Sequence, residues 1–457
     1  MDQKRTFYEH PGPILDKNEQ TYRINWNKYK KAVQECRPIQ LEGKVVKAAG
    51  IVAEANGPGL SVGSLCAIKN PDGPDITAEV IGFKGQRVII MPFGEMRGIQ
   101  PGSRIVDISK RPTAHVGEAY LGRVIDGLGH PMDRLGFIRA DDEYSIYGDL
   151  LNPLKREIIS EVIDVGVRPI NALLTLGKGQ RVAIMSGSGV GKSVLMGMIA
   201  RNTSADVNII ALIGERGREV REFIERNLGE EGLQRSVVIV ATSDAPSLVR
   251  IRAAYLATTM AEYFRDRGLD VILMMDSITR FAMSLREVGL AAGEPPSARG
   301  YTPSVFTQIP KLLERVGTLE NKGSVTGIYN VLVEGDDMNE PIGDTVRSIV
   351  DGHIELSRTL AHRGHFPAID PLTSISRVMK EIVDQEHLKF AKKMIQVLSI
   401  YREAEDLIHI GAYSEGSDSE IDFAVKMIGR INMFLRQDIH QKVKFQESVD
   451  QLKSLFS

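Results

Sequence analysis

The chain has 457 residues, of which 42% are hydrophobic and 25% charged, and its formal net charge is −2. This composition is typical of a globular protein and excludes collagen-like, intrinsically disordered and disulfide-stapled chains. Because 57 basic residues nearly cancel 59 acidic ones, the net charge predicts no strong attraction to nucleic acid or to anionic lipid.

The cysteine content and the hydropathy pattern predict a cytosolic protein. The sequence contains two cysteines, Cys36 and Cys66, which are too few for a disulfide framework and lack the paired spacing of a zinc site. No apolar run approaches the roughly 18 to 20 residues that cross a bilayer. Residues 1–10 lack the apolar stretch of a secretion signal.

The first segment, residues 1–42, is polar and contains the charged run 25–31. Two interpretations fit such a segment. It is either a solvated stretch that docks loosely on its own protein or an arm that binds a partner. Residue patterns alone leave both open.

Residues 43–113 have the pattern of a small β-domain. Short β-branched runs alternate with glycines and with turn signals such as residues 70–73, Asn-Pro-Asp-Gly. Strands at this spacing predict an all-β sandwich or barrel. We expect these strands near residues 45–46, 51–52, 65–68, 80–81, 88–91 and 104–108.

Residues 114–380 alternate between strand-like and helix-like segments. This alternation predicts an α/β domain, in which βαβ units build a parallel sheet covered on both faces. Residues 218–228 and 247–267 have helical composition. The candidate buried strands are 181–185, 207–213, 237–242, 271–275 and 325–333.

The last segment, residues 381–457, is predicted to be a helical domain. Apolar residues recur there at helical spacing, and a second helical stretch follows the loop at 411–419. The apolar stripe of the first helix is predicted to consist of Leu388, Ala391, Ile395 and Leu398.

The strongest chemical signal is the segment SGSGVGKS at residues 186–193, which follows an apolar strand and precedes a helical run. Its glycines let several backbone N–H groups point at one phosphate, and the next helix adds its positive dipole end. Lys192 supplies positive charge for the β and γ phosphates, and Ser193 supplies a hydroxyl ligand for Mg²⁺. The predicted nucleotide-binding residues of this loop are Gly187, Ser188, Gly189, Val190, Gly191, Lys192 and Ser193.

The loop departs from the pattern G-x-x-x-x-G-K-[ST] at its first position, where Ser186 stands. A glycine-rich turn without chemical consequence is the alternative. The order strand, loop, helix favours a site for a nucleoside triphosphate, and so does a second apolar strand that ends in Asp276. A carboxylate at the carboxyl end of a neighbouring parallel strand can hold a Mg²⁺-bound water. Asp276 could instead cap the helical run at 277–281; beside a phosphate loop, the metal role is favoured.

Five segments in unbroken order resemble the type III protein-export ATPases, which are similar in turn to the catalytic subunit of rotary F-type ATPases. The segments are 187–193, 213–219 (IGERGRE), 273–282 (LMMDSITRFA), 295–303 (PPSARGYTP) and 374–379 (SISRVM). The resemblance extends from about residue 43 to the end and implies a RecA-like P-loop ATPase core at 114–380. A β-barrel domain at 43–113 would precede this core, and a helical domain at 381–457 would follow it.

The resemblance also implies roles for residues that the pattern alone would leave on the surface or in the core. Glu215 corresponds to the carboxylate that orients and polarises the attacking water, and Arg216 is its neighbour in the same turn. Arg377 matches the arginine finger that reaches from one subunit to the γ-phosphate bound by the next. Phe366 aligns with an aromatic side chain that stacks on adenine. Arg280 would belong to the polar network of the site.

Taken together, the resemblance implies a Mg²⁺-dependent ATPase that forms a homohexameric ring and energises protein export. Residues 122–133 and 411–437 look most like the flagellum-specific member rather than the virulence injectisome ATPase. The expected partners are export substrates and their chaperones, at an export gate on the cytoplasmic face of the inner membrane. A stator-like regulatory protein would bind residues 1–42.

Two other functions share part of this pattern. A non-catalytic nucleotide-binding subunit of a rotary ATPase would usually lack the carboxylate at Glu215. A ring-shaped nucleic-acid motor would need a basic channel and stacking aromatics on its amino-terminal domain. Residues 43–113 contain little aromatic surface beyond Phe83 and Phe93, so we expect no nucleic-acid partner.

Overall fold

The computed structural model describes residues 42–57, 59–109, 112–148, 151–333 and 340–457, together with Trp26, Lys30 and Val33. The chain divides into two units, residues 1–41 and residues 42–457. Trp26, Lys30 and Val33 are helical. Apart from these three and Glu42, the predicted partner-binding arm at residues 1–42 lies outside the described residues.

Six antiparallel strands close into a barrel in the order β1-β2-β5-β4-β3-β6. Buried and accessible positions alternate along β1 and β2, and the inward side chains, among them Val45, Ala53 and Ile90, form the barrel core. Closure pairs the first strand with the last and so removes the open sheet edges. The predicted β-barrel is confirmed, with strands β1 (Glu42–Ala49), β2 (Val52–Asn56), β3 (Leu65–Ile68), β4 (Ile76–Lys84), β5 (Arg87–Pro92) and β6 (Arg104–Ser109).

A nine-stranded sheet forms the centre of the molecule. Seven parallel strands run in the order β18-β12-β17-β15-β13-β14-β8, while β19 and β16 pair antiparallel with β18 and β17. The strands are β8 (Val124–Asp126), β12 (Arg181–Ser186), β13 (Val207–Ile213), β14 (Ser236–Ala241), β15 (Val271–Asp276), β16 (Gly317–Thr318), β17 (Ser324–Leu332), β18 (Gly352–Leu356) and β19 (Ile375–Ser376). The five predicted buried strands are confirmed to within one residue at each end.

Each central strand is apolar on both sides because helices cover both faces of the sheet. Along β13, Ile209 and Ala211 face one apolar core, while Ile210 and Leu212 face the other. This alternation follows from the two-residue period of a strand. Two small sheets flank the domain; they pair β7 (Thr113–Val116) with β9 (Asp142–Ser145), and β10 (Val162–Ile163) with β11 (Leu176–Gly177).

The helices lie in two layers. They are α1 (Arg168–Leu173), α2 (Lys192–Asn202), α3 (Gly217–Glu222), α4 (Gly229–Gln234), α5 (Ser247–Asp266), α6 (Ile278–Ala292), α7 (Pro303–Leu313), α8 (Pro341–Ile349), α9 (Arg358–His362), α10 (Met379–Ile382), α11 (Gln385–His409), α12 (Ser419–Leu435) and α13 (Phe445–Phe456). Helices α5, α6 and α7 pack on one face of the sheet, and α2 packs on the other. Single 3₁₀ turns occupy Glu118–Tyr120, Pro153–Lys155 and Ala298–Gly300.

A π-helical turn, Phe223–Leu228, joins α3 to α4. The sequence predicts a plain helix over residues 218–228. The structure instead continues the helical path through residue 234 and widens it in the middle. Wide turns of this kind are rare and occur often at functional sites.

The C-terminal helices share their apolar core with the second face of the sheet. Met394, Met427 and Ile431 belong to the same buried cluster as Leu195 and Ile199 of α2. The predicted helical domain is confirmed. Its core is continuous with that of the central sheet domain.

The predicted apolar stripe of α11 is displaced by about one residue. Leu388, Ile395 and Leu398 are only partly buried, whereas the fully buried side consists of His387, Ala391, Met394, Val397 and Ala404. The apolar arc of this helix is broad, and its neighbours α1, α12 and α13 do not cover all of it. In the part of the chain that the structure describes, no helix has the length and apolarity needed to cross a membrane.

A buried ion pair joins Glu262 of α5 to Arg315, which lies between α7 and β16. The Arg315 guanidinium donates to both carboxylate oxygens of Glu262, at 2.8 and 2.5 Å. It also donates to the C=O of Ile146 at 2.8 Å and to the hydroxyl of Thr259 at 2.9 Å. These bonds satisfy polar groups that are shielded from water.

We expect Arg315→Ala to lower the free energy of unfolding by about 3–5 kcal/mol, because it leaves the Glu262 carboxylate buried without its cation. Urea denaturation measures this value. The control is Lys322→Ala, which removes an exposed ammonium 2.9 Å from Asp266 and should change stability by about 0–1 kcal/mol. Equal effects of the two substitutions would contradict the assignment.

Candidate functional site

The phosphate-loop segment connects the carboxyl end of β12 to the first turn of α2. Gly189 and Gly191 have φ values of 78° and 93°, which are left-handed conformations that side chains with a Cβ rarely adopt. Gly191 directly precedes Lys192, the first residue of α2. The backbone N–H groups at this helix start therefore face the same side as the loop, where an anion is favoured.

Lys192 lies between two carboxylates. Its Nζ is 2.6 Å from Oδ1 of Asp276 and 3.8 Å from Oε1 of Glu215. Lys192 follows the loop after β12, Glu215 follows β13, and Asp276 ends β15. These parallel strands open at one edge of the sheet. The structure therefore brings together Lys192, Glu215 and Asp276, which the sequence predicted as one site.

The strand order around Asp276 differs from the expectation in one respect. β17 lies between β12 and β15, so that the carboxylate strand is one strand removed from the phosphate-loop strand rather than beside it. The long side chain of Lys192 spans this gap. The helix that follows is capped by Ser277, whose hydroxyl accepts from the backbone N–H of Arg280 at 3.3 Å, so Asp276 does not occupy the cap position.

The Glu215 side chain is only 17% exposed, and its protonation is finely balanced. Burial and the Asp276 carboxylate raise the pKa of Glu215, the Lys192 ammonium opposes them, and the result is about 7. Because that value lies near neutral pH, the carboxyl group can exchange a proton readily under physiological conditions. This property suits a general base.

Arg280 supports the turn that carries Glu215. Gly214 has a φ of 73°, and a Cβ at this position would lie 2.8 Å from Cβ and Cγ of Arg280. A glycine is therefore required for this close contact. Among the described residues, the buried Nε of Arg280 has no hydrogen-bond partner, and the residue lines the cleft above the phosphate loop. An unsatisfied guanidinium nitrogen there would favour an anionic ligand.

The cleft has a volume of about 660 Å³. Besides the phosphate loop, its walls include residues that were not predicted from the sequence, namely Asn227, Thr279 and Arg358. Arg358 begins α9 just after the carboxyl end of β18, and this position after a strand end is the signal that could have indicated it. Asn227 lies in the π-helical turn, which no residue pattern in the sequence indicates.

The π-helical turn packs tightly against the phosphate-loop helix. A Cβ on Gly197 would lie 2.7 Å from both Cβ and the C=O oxygen of Asn227. Gly197 therefore permits this approach, and Arg201 of the same helix donates to the Asn227 C=O. The contact places Asn227 at the wall of the cleft.

Three further predicted site residues take no part in the ion pairs of Lys192. Arg216 is 79% exposed at the cleft wall, 3.7 Å from Glu219. Phe366 is 44% exposed, so that it is not a core residue. Its ring carbons lie 3.7 Å from the position of a Cβ on Gly191, beside the phosphate loop. Arg377 is exposed and does not line the cleft.

Arg377 lies near the amino ends of the strands, whereas the phosphate loop lies at their carboxyl ends. It follows β19, which pairs with Gly352 and His353 at the start of β18. Its backbone N–H donates to the C=O of Asp351 at 2.9 Å, and its guanidinium donates to the C=O of Arg347 at 3.4 Å. Since β18 and β12 are parallel, Arg377 is separated from the phosphate loop of its own chain.

The oxygen ligands present fit a magnesium ion bound together with phosphate. Among the described residues, no group of three or more His, Cys, Asp or Glu side chains could hold a metal ion. Mg²⁺ is usually bound by one or two protein oxygens together with substrate phosphates and water. Ser193 and the buried carboxylate of Asp276 are such a pair.

Comparison with known proteins extends this description over most of the chain. The ATP synthase alpha/beta family matches with its beta-barrel domain at residues 45–108 and its nucleotide-binding domain at residues 166–376. The T3SS EscN ATPase C-terminal domain matches residues 383–454. A relative from Bacillus subtilis, the flagellum-specific ATP synthase, is 52% identical over 415 residues, which are 90% of this chain and 94% of the relative.

Solved structures agree with these matches. The assembled ATPase EscN from the enteropathogenic E. coli type III secretion system is 44% identical, with a TM-score of 0.87 over 91% of this chain and 100% of EscN. EscN in complex with its central stalk EscO has a TM-score of 0.84 at the same identity and coverage.

The arrangement of charges predicts opposite effects of two substitutions on Glu215. Lys192→Met should raise the pKa of Glu215 above about 7, because the ammonium stabilises the carboxylate, and Asp276→Asn should lower it, because a like charge is lost. The ¹³Cδ chemical shifts of labelled glutamate, followed against pH, measure both. Arg221→Met serves as the control, because it removes an exposed guanidinium that pairs with Glu225, and it should leave the titration unchanged. Shifts of the same sign in both variants would refute the arrangement.

Proposed function

The chain belongs to the ATP synthase alpha/beta family, and on that premise we propose that it hydrolyses ATP in a ring of identical subunits to energise flagellar protein export. The observation that carries the proposal is the position of Lys192, between Glu215 and Asp276 at the mouth of a phosphate loop. A glycine-rich turn without chemical consequence would have no need of these three groups together. The role of each residue follows from its position.

The phosphate loop, Gly187–Ser193, binds the triphosphate of ATP through its backbone N–H groups and Lys192. In the structure, Lys192 is held by Asp276 at 2.6 Å. Triphosphate oxygens would replace part of this contact. Ser193 and Asp276 would then hold Mg²⁺ directly or through water, and the ion would neutralise charge on the β and γ phosphates.

Glu215 orients the attacking water and accepts its proton. Its carboxylate faces the phosphate-binding side through the contact with Lys192, and its pKa of about 7 suits a group that alternates between charged and neutral forms. A non-catalytic subunit would not need this carboxylate. The presence of Glu215 in the cleft therefore favours an enzyme over a structural nucleotide-binding subunit.

Arg377 completes the site of a neighbouring subunit. It is exposed and lies at the strand ends opposite its own phosphate loop, so it is available to a second chain. Its planar, permanently charged guanidinium suits the γ-phosphate of ATP bound next door. Contacts of this head-to-tail kind close into rings, and the assembled state of EscN supports a ring of this chain, which we propose to be a homohexamer.

Phe366 would stack on the adenine. The ring lies beside Gly191, where the phosphate loop enters α2, and nearly half of its surface is free to receive a base. Arg216, at the cleft wall, would assist Glu215 in the same turn. Arg280 and Arg358 would add positive charge to the cleft.

One partner is supported by a solved relative. The complex of EscN with EscO supports a central stalk protein as a partner of the ring. We also propose a stator-like regulator that binds residues 1–42. Export chaperones, their substrates and a membrane-embedded gate would complete the set, with the ring at the cytoplasmic face of the inner membrane. The flagellar system is favoured because the Bacillus subtilis relative is more similar to this chain than EscN is; the injectisome is the alternative.

A subunit-mixing experiment tests whether the site is shared between chains. Arg377→Ala and Lys192→Ala should each abolish most ATP hydrolysis when assembled alone. Co-assembled in equal amounts, they should recover up to roughly a quarter of the wild-type rate, because one interface in four combines an intact phosphate loop with an intact arginine. Phosphate release measures the rate.

The control for that experiment mixes Lys192→Ala with Glu215→Gln. Both substitutions damage the same half of the interface, so no interface can be complete and no activity should return. Recovery in the control, or none in the first mixture, would show that the site is not divided as proposed.

The rate of hydrolysis should depend on pH through Glu215. Because the carboxylate form of Glu215 is the active base and its pKa is raised, kcat/KM should rise with pH through about 7 and level off above it. The γ-phosphate of ATP also titrates in this range. Glu219 raises the pKa of Glu215, so Glu219→Gln should move the inflection to lower pH, whereas a substrate titration would stay in place. An unmoved inflection would assign it to ATP instead.

A further inference from the structure

Gln437 joins the loop of Phe366 to the rest of the molecule. Its backbone N–H donates to the C=O of Phe366 at 3.0 Å. Its side chain is buried, and Oε1 accepts from the N–H of Arg168 at 2.7 Å. Nε2 donates to the C=O of Gly166 and of Gln441, both at 2.8 Å. The three side-chain bonds fix the peptide that holds Phe366.

This combination of bonds requires a primary amide. The side chain accepts one hydrogen bond and donates two at the same time. An asparagine side chain would be too short to reach these partners, and a glutamate carboxylate cannot donate. Because the site is buried, each unmade bond would leave a polar group unsatisfied. Arg168 adds to the junction from the other side, since its guanidinium donates to the C=O of Phe434 at 3.0 Å.

The position of the Phe366 ring depends on its backbone. The ring is 44% exposed, and its edge formed by Cδ1 and Cε1 lies beside Gly191 of the phosphate loop. The next residues of the loop are tied to the sheet, since the backbone N–H of Ser357 donates to the C=O of Ala368 at 2.8 Å and Leu356 bridges to Ile369. At Phe366 itself the C=O is held from the C-terminal domain by Gln437.

A second contact joins the same loop to α11. One guanidinium nitrogen of Arg402 lies 3.0 and 2.9 Å from the two carboxylate oxygens of Asp370. Asp370 is buried, and Arg402 is 48% exposed. The loop from Phe366 to Asp370 is thus bound at both ends to the C-terminal domain.

We infer that Gln437 is a positioning residue for the nucleobase: it holds Phe366 where the ring can stack on adenine, so that the C-terminal domain sets the affinity for the base but not for the phosphates. Gln437 does not touch the nucleotide in this arrangement. The inference rests on the proposed function, specifically on Phe366 as the adenine contact.

Binding of two ligands with and without a base tests the inference. The dissociation constants of Mg²⁺–ATP and of Mg²⁺–tripolyphosphate are measured by calorimetry on the full chain for wild type, Gln437→Ala and Gln437→Glu. We expect the dissociation constant of ATP to rise by about 5-fold or more in both variants, since the stacking of a base on an aromatic ring contributes to affinity. Tripolyphosphate, which has no base, should bind within about 2-fold of wild type.

The matched control is Gln441→Ala. Gln441 is exposed in the same segment and meets Gln437 through its backbone C=O, so this variant should bind both ligands as wild type does. Arg402→Gln removes the guanidinium that holds Asp370 of the loop. It should weaken the binding of ATP but not that of tripolyphosphate. It keeps the test informative if the Gln437 variants do not fold.

The outcomes separate the inference from the proposed function. Equal weakening of both ligands, or no change in either, would overturn the role of Gln437. If Phe366→Ala lowers ATP affinity selectively while the Gln437 and Arg402 variants do not, only this inference fails. If Phe366→Ala leaves the ATP-to-tripolyphosphate ratio unchanged, the adenine contact of the proposed function fails as well.

Discussion

The ammonium of Lys192, held between two carboxylates at the open edge of a parallel sheet, is the interaction on which the site depends. Two carboxylates this close without a cation would repel each other, and a lysine without them would have no fixed position. The three groups lie at or just after the carboxyl ends of three buried strands, which meet at this edge of the sheet. A charge cluster whose members satisfy one another can exchange partners for phosphate oxygens without unfolding the loop.

Much of this arrangement could be predicted from local sequence because local chemistry determines it. The glycines before Lys192 are required by backbone angles that other residues rarely adopt, and the continuous apolar runs of the sheet are required by burial on both faces. The closed barrel likewise follows from short alternating strands. Asp276 could be found because side chains at the carboxyl ends of parallel strands meet at one edge.

The remainder depends on contacts between distant segments. Nothing near Gln437 in the sequence indicates that its amide binds Gly166 and Arg168, which lie 271 and 269 positions earlier along the chain. The insertion of β17 between β12 and β15 is a matter of topology, and the displaced stripe on α11 reflects which neighbours cover that helix. The location of Arg377 at the opposite strand ends emerges only when β18 and β19 are seen paired. The proposed role of Arg377 comes from family resemblance; the fold shows only that the residue lies away from the cleft of its own chain.

The π-helical turn has a consequence for how the cleft can vary. A π turn is equivalent to an α-helix into which one residue has been inserted, and each residue of an α-helix rotates the next by about 100°. Losing a single residue between Phe223 and Leu228 would therefore restore a regular helix and swing Asn227 around the helix axis, away from the nucleotide side. A change in chain length of one residue, with no change in side-chain chemistry, could thus reshape one wall of the binding site while α2 and the phosphate loop remain as they are.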